Sequence, residues 1–164
     1  MKTFDWTSFT RKIAIKAPLA DMYAAWTRSV YIQKWFLRKA EFFDGSNNLI
    51  PENQSVKEGG RYAWTWYLYE PTEYGNITAA NGTDYLQFTF AGDCLVDIEL
   101  EKQGEYTIVK LTQHHIPVDD ASKRSIRLGC DTGWSFYLTN LKSVYEGGID
   151  LRNKDPELKG MLNM

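Results

Sequence analysis

Residues 119–148 read DDASKRSIRLGCDTGWSFYLTNLKSVYEGG. Within them Ile126, Cys130, Trp134, Tyr137, Leu138, Leu141, Val144 and Tyr145 recur at spacings of three and four, the apolar stripe of a helix that must bury one face. Asp119-Asp120-Ala121-Ser122 provides a start and Gly147-Gly148 a stop, because glycine beyond a helix C-terminus adopts the left-handed conformation without steric cost. No other segment is periodic over so long a run. The partner of this stripe therefore has to come from the extended segments before it.

Residues Phe9 to Ala17 alternate, with Phe9, Arg11, Ile13 and Ile15 on one face, the pattern of a half-buried strand. Pro18 then opens a short helix to Thr27, and Ser29 caps a second one over Val30 to Phe36. Arg38 to Asp44 reads as a short strand, and the polar stretch Gly45 to Gly60 as a mobile loop, either a lid or a solvated insertion. The strand Arg61 to Tyr69 puts Tyr62, Trp64, Trp66 and Leu68 on one face and Ala63, Thr65, Tyr67 and Tyr69 on the other. A turn is expected at Glu70-Pro71-Thr72-Glu73, then strands over Tyr74 to Ala80 and Tyr85 to Phe90 joined at Asn81-Gly82, the strongest hairpin signal in the chain. Ala91-Gly92-Asp93 leads into Cys94 to Lys102, and Gln103-Gly104 into Tyr106 to His115, where an unbroken register turns Gln113 and His115 inward. The expectation is an α+β chain: about seven strands in one curved antiparallel sheet, two short helices, and one long C-terminal helix. A twisted sheet wrapped round that helix leaves room between them, most of all where Gly129 and Gly133 flank Cys130 on the stripe.

Composition narrows the function classes. The 164 residues fit a single domain over 1–164, with its core at about 8–152 and a charged, loosely held tail at 153–164. Nineteen basic against 21 acidic residues give a net charge of −2, interspersed along the chain, so neither nucleic acid nor an anionic membrane is an expected partner. No run is apolar enough for a membrane span, and the first residues lack the apolar core of a signal peptide, which reads as a cytoplasmic protein. Cys94 and Cys130 stand far apart without a C-x-x-C and read as reduced, buried thiols. The 15% of aromatic residues exceeds what a small core requires, so either a thick core or a cavity is implied.

The order Ile13-x-Ile15-x-Ala17-Pro18, Met22-Tyr23-x-Ala25-Trp26-Thr27 and Lys34-Trp35-Phe36 continues with Gly59-Gly60-x-Tyr62, Gly75-x-Ile77 and Leu86-x-Phe88-x-Phe90. Gly133-Trp134 follows, with Leu138, Leu141-Lys142, Tyr145 and Glu146-Gly147 after it. In this order and spacing, from about Ser8 to Arg152, the chain resembles the SRPBCC or START-like superfamily, in the branch of activators of the heat-shock-protein-90 ATPase. The resemblance implies a helix-grip fold related to the birch pollen allergen and lipid-transfer domains, with an apolar cavity between sheet and long helix. It implies a binding module for a small hydrophobic or lipid-like molecule as the leading function. The alternatives it opens are a chaperone-ATPase-activator-like interaction domain, whose partner is a chaperone or a second copy as a homodimer, and an enzyme acting on a bound aromatic or polyketide. The chain resembles a bacterial-type single domain without the separate N-terminal module of eukaryotic activators.

Candidate ligand contacts follow from both readings. Tyr62, Trp64 and Trp66, with Phe88 and Phe90 on a neighbouring strand and Trp134, Tyr137 and Leu138 on the helix, line a cavity or else form ordinary core. Trp26, Trp35 and Phe36 border its mouth, and Gln113 with His115 forms its polar end or stays locally bonded. His114 and His115, on opposite faces of a regular strand, do not share a metal there. Arg11 either pairs with an anionic head group or reaches solvent, and Tyr67, Tyr69 and Tyr85 form an exposed aromatic set suited to a protein partner. No Ser-His-Asp order, P-loop, G-x-G-x-x-G or H-E-x-x-H occurs, so no catalytic residue, cofactor or metal is assigned.

Overall fold

The computed structural model describes residues 1–164. Strand β1 (Phe9–Ile15) is followed by α1 (Leu19–Thr27), α2 (Ser29–Ile32), β2 (Lys39–Phe43), β3 (Arg61–Trp66), β4 (Tyr69–Ala80), β5 (Tyr85–Phe90), β6 (Cys94–Gln103) and β7 (Tyr106–His114). All seven pair antiparallel in one sheet, in the order β1-β7-β6-β5-β4-β3-β2. It is a meander closed by the return of β1 beside β7. Register shifts between Trp64 and Trp66 and between Ile77 and Ala79 bend β3 and β4, since a bulge adds local twist to a strand. The sheet is therefore a curved grip, as the alternation in the sequence leads one to expect.

The long helix runs from Asp120 to Tyr145 as α3 (Asp120–Ser122), a π-helical stretch over Lys123–Leu128, and α4 (Gly129–Tyr145). Asp119 caps it, its side chain accepting from Ser122 N at 2.9 Å. The wider turn brings Arg127 inside, where it bonds Asp131 at 2.9 Å and the Asp5 carbonyl at 3.2 Å. Asp131 also receives Arg11 at 2.7 Å, so Arg11 ties β1 to the helix from a half-exposed position instead of reaching into the interior.

Beneath the helix the rings interlock. Trp26, Trp35 and Trp64 are buried to 1% exposure or less. Trp26 meets Trp35 at 4.7 Å and Trp134 at 6.0 Å, and Tyr62 stacks on Trp64 at 3.7 Å. This part of the sheet–helix space is a packed core.

Several expectations are corrected. The strand expected to run to Tyr69 ends at Trp66, and the chain reverses through Tyr67-Leu68, with Leu68 at φ 58° and Trp66 paired to Tyr69. Glu70-Pro71-Thr72-Glu73 thus lies within β4. Its first three residues occupy the irregularity between the Trp66–Tyr69 and Trp64–Glu73 pairs, where a proline without an N–H is tolerated. The second helix stops at Ile32 instead of Phe36. The connection 45–60 is anchored: Val56 is buried and its N–H reaches the Thr27 carbonyl, while Val30 N–H reaches Glu52. His115 breaks the register at φ 60° and is exposed.

Residues 150–152 are held against the helix and the chain after α2. Asn140 donates to the Trp35 carbonyl at 2.7 Å and accepts from Leu151 N at 2.8 Å. Arg152 bonds the Leu37 and Gln33 carbonyls, both at 3.0 Å, and Asp150 at 2.8 Å. Burial alone would raise the Asp150 pKa, but hydrogen bonds from Arg152, Lys154 and Asn140 outweigh it and hold the carboxyl well below the usual range. A depressed folded pKa stabilises above the unfolded value, near 4, and that stability is lost as pH falls below it. Asp150→Asn is accordingly expected to destabilise by about 1–3 kcal/mol at pH 7, with the gap to wild type closing below pH 4. Paired urea melts at the two pH values check this.

Candidate functional site

Midway along the helix the packing changes. Where Gly129 and Gly133 pass over β3, β4 and β5, an open cleft of about 440 Å³ separates helix from sheet. Phe36, Trp66, Tyr67, Tyr69, Phe90, Trp134 and Tyr137 present their rings to it, and Glu73, Cys130 and Met164 complete its margins. Phe36 is the hub, with its ring centroid 4.8 Å from Tyr137, 5.0 Å from Trp134 and 5.5 Å from Trp66. Phe90 faces Trp134 at 5.1 Å and Trp66 at 6.3 Å. Edge-to-face and tilted contacts of this kind hold rings in fixed orientations, so the walls are preformed.

Glycine explains the space. Both residues stand in the helix interior, where glycine costs about 1 kcal/mol relative to alanine. A Cβ added at Gly133 would meet nothing within 4 Å. No neighbour excludes a side chain there, and the absence of one leaves the cleft open.

The polar groups are few. Trp134 Nε1 donates to Gln113 Oε1 at 2.9 Å, and the Gln113 side-chain nitrogen is buried without a partner. Tyr137 donates to the Met164 carbonyl at 3.0 Å. Burial pushes its phenol up to about 12 and the Cys130 thiol up to about 11, so at neutral pH both are protonated and Cys130 is a poor nucleophile. Glu73 pairs across from Trp64, whose side chain is buried, and opposed residues of an antiparallel pair share a face. Its carboxylate is therefore turned to the concave side, and Oε1 accepts from Ala91 N at 2.9 Å.

Of the residues singled out in the sequence, Phe36, Trp66, Phe90, Trp134 and Tyr137 border this cleft. Trp26, Trp35, Tyr62, Trp64, Phe88 and Leu138 lie in the filled core, Tyr62 donating to the Thr89 carbonyl at 2.6 Å. Gln113 is buried behind Trp134. His115 lies outside, its Nδ1 2.5 Å from that of His114, whose Nε2 meets Asp97 at 2.7 Å. The register break brings together two rings that a regular strand keeps apart. Tyr67 and Tyr69 line the cleft, whereas Tyr85 is on the outer sheet face with its hydroxyl on Asp97 at 2.8 Å, so the three tyrosines do not form one patch. Glu73 and Met164 carry no site signal in the sequence, whereas Gly129 and Gly133 lie where the sequence places the widest space. A hairpin placed at Tyr67-Leu68 would have put Glu73 on the inward face of its strand.

The model of the family described as activator of Hsp90 ATPase homolog 1-like protein matches residues 16–146. No curated protein matches the sequence. Among solved structures, a protein from Staphylococcus saprophyticus is 19% identical and superposes with a TM-score of 0.70 over 88% of this chain and 96% of its own. The Aha1 dimer from Colwellia psychrerythraea is 19% identical, with a TM-score of 0.64 over 86% and 97%. CalU16 from Micromonospora echinospora is 18% identical, with 0.62 over 84% and 75%. At such identities the likeness is one of fold. No helix is long and apolar enough to cross a membrane.

Proposed function

Because the chain belongs to the activator of Hsp90 ATPase homolog 1-like family, whose fold hosts binding modules, we propose that it binds a small hydrophobic molecule in the cleft under Gly129 and Gly133. One observation carries this reading: the helix, with Trp134 and Tyr137, faces five further aromatic residues across the cleft and has glycine where a side chain would fit. Trp26, Trp35, Tyr62, Trp64 and Phe88 are by contrast consumed by the core. A concave, mostly apolar site with a few fixed polar groups is the usual form of a small-molecule site.

The test is to fill the cleft from the helix side. Gly133→Ala is expected to raise stability by about 0.5–1 kcal/mol through helix propensity. Gly133→Leu, which projects into the cleft, is expected to keep the fold and abolish ligand-induced thermal shifts seen with wild type across a panel of lipids and aromatics. Saturating ligand at a hundred times its Kd stabilises by about 2.7 kcal/mol, readily seen as a shift in Tm. If no compound shifts wild type, or if Gly133→Leu responds as wild type does, the cleft is not the binding site.

A second reading, a chaperone or self-associating interaction domain, draws on the family description and on the dimer named for the Colwellia relative. The exposed side chains of Tyr69 and Tyr74 would then be contact residues. Replacing Tyr74, which does not line the cleft, by serine would weaken such an association without touching the Gly133 response.

A further inference from the structure

The cleft is not electrically neutral. Among its 14 lining residues there is one charged side chain, Glu73, and no lysine, arginine or histidine. One carboxylate oxygen is used by Ala91 N–H at 2.9 Å, and no cation of the chain lies within ion-pair distance of the other. The Ser125 hydroxyl is taken by the Ala121 carbonyl at 2.7 Å and the Tyr137 hydroxyl by Met164. We infer that the ligand of this cleft is an organic cation, an apolar body carrying an ammonium or amidinium group that sits among the rings against Glu73.

The physical grounds are independent of one another. The faces of aromatic rings carry negative potential and attract cations, most strongly when the site excludes water. A carboxylate within an apolar concavity is costly to desolvate unless an opposite charge accompanies it, and here the chain itself supplies none. An anionic ligand would meet the same carboxylate as a like charge. The rim already binds cations in this way, since Lys154 Nζ lies 4.9 Å and the Arg152 guanidinium 5.3 Å from the Tyr67 ring centroid. Those two are committed to Asp150, at 2.9 and 2.8 Å, and leave the Glu73 side of the cleft free.

The inference rests on the binding function proposed above, and the experiment separates the two. Phenyltrimethylammonium, its neutral carbon isostere tert-butylbenzene, and benzenesulfonate are titrated into the full chain and followed by the indole N–H signals of Trp66 and Trp134. Wild type is expected to bind the cation about tenfold more tightly than the isostere and the sulfonate not measurably. Glu73→Gln should abolish that preference while leaving tert-butylbenzene within about twofold, and Gly133→Leu, which leaves Glu73 in place, should abolish binding of both. If the isostere binds as well as the cation, or if Glu73→Gln leaves the ratio unchanged, the charge assignment is overturned and the binding function stands. If none of the three perturbs either indole, both fall together.

Discussion

Replacing Arg152 by alanine is expected to cost about 3–5 kcal/mol of stability, the range found when one member of a buried ion pair is removed. The side chain is 4% exposed, and its donors satisfy four acceptors: the Leu37 and Gln33 carbonyls and both oxygens of Asp150. Alanine would leave two carbonyls after α2 without partners and strip Asp150 of its bidentate contact, and buried acceptors so abandoned each cost about 1–3 kcal/mol. In a chain of this length 1 kcal/mol is about 2–4 °C in Tm, so a fall of about 6–20 °C is expected. Lysine should recover little of it, because a single ammonium cannot reproduce the planar fork that serves carbonyls and carboxylate together. Thermal melts of Arg152→Ala and Arg152→Lys at pH 7 decide the matter. A loss below 1 kcal/mol would mean that residues 150–164 do not fold with the sheet. The same variant should loosen the segment bearing Met164 at the cleft margin, so ligand affinity and stability are expected to respond together.

The architecture was legible because it follows from periodicity. The stripe Ile126 to Tyr145 and the alternation in residues 94–102 and 106–114 each leave one way to bury an apolar face, and the helix has only the sheet to lie on. Resemblance in the turn glycines and aromatic pairs fixed the same order. What escaped were the places where a residue does something its type does not advertise. Leu68, Ala91 and His115 adopt positive φ at 58°, 55° and 60°, a conformation usually taken by glycine or asparagine, so the hairpin at Tyr67-Leu68 carried no turn signal. Pro71, a usual turn marker, pointed to the wrong place. Arg152 and Asp150 carried no signal for a related reason: arginine and aspartate in a short polar stretch read as solvated unless the carbonyls they will meet are known.

The site was half legible, and the division is physical. Aromatic residues on the inner faces of β3 and β5 could be chosen from alternation, but sequence does not say which rings plug a space and which border one. Trp64 and Trp66 lie two residues apart, yet Trp64 is 1% exposed under Tyr62 and Phe88 while Trp66 opens onto the cleft. The difference is set by the bulge between them and by the position of Gly133 on the helix above. Glu73 was invisible for as long as it belonged to a turn. Once it is paired with Trp64 its inward direction follows from the pleat, and with it the charge of the site.

The same pairing scheme yields the second large effect, at Gly75. This residue lies opposite Tyr62, and a Cβ built on it would stand 2.4 Å from Cε1, Cζ and Oη of that ring, a separation that requires something to move. The ring has nowhere to go. It stacks on Trp64 at 3.7 Å, meets Phe88 edge-on at 6.1 Å, and its hydroxyl is bound to the Thr89 carbonyl at 2.6 Å. Burial holds the phenol neutral, with its pKa well above the usual value, so the hydroxyl is always available as that donor. Gly75→Ala is therefore expected to cost about 3 kcal/mol, at the upper end of overpacking effects, even though alanine suits a strand no worse than glycine does. The test of cause is a double-mutant cycle. Tyr62→Ala alone should cost about 3–5 kcal/mol by leaving a cavity, but in its presence Gly75→Ala should cost almost nothing, because the new methyl enters the vacated space. A coupling of about 2–3 kcal/mol between the two positions is the expected result of urea melts on the four proteins. Additive losses would show instead that strand geometry at Gly75, and not the ring across from it, sets the penalty.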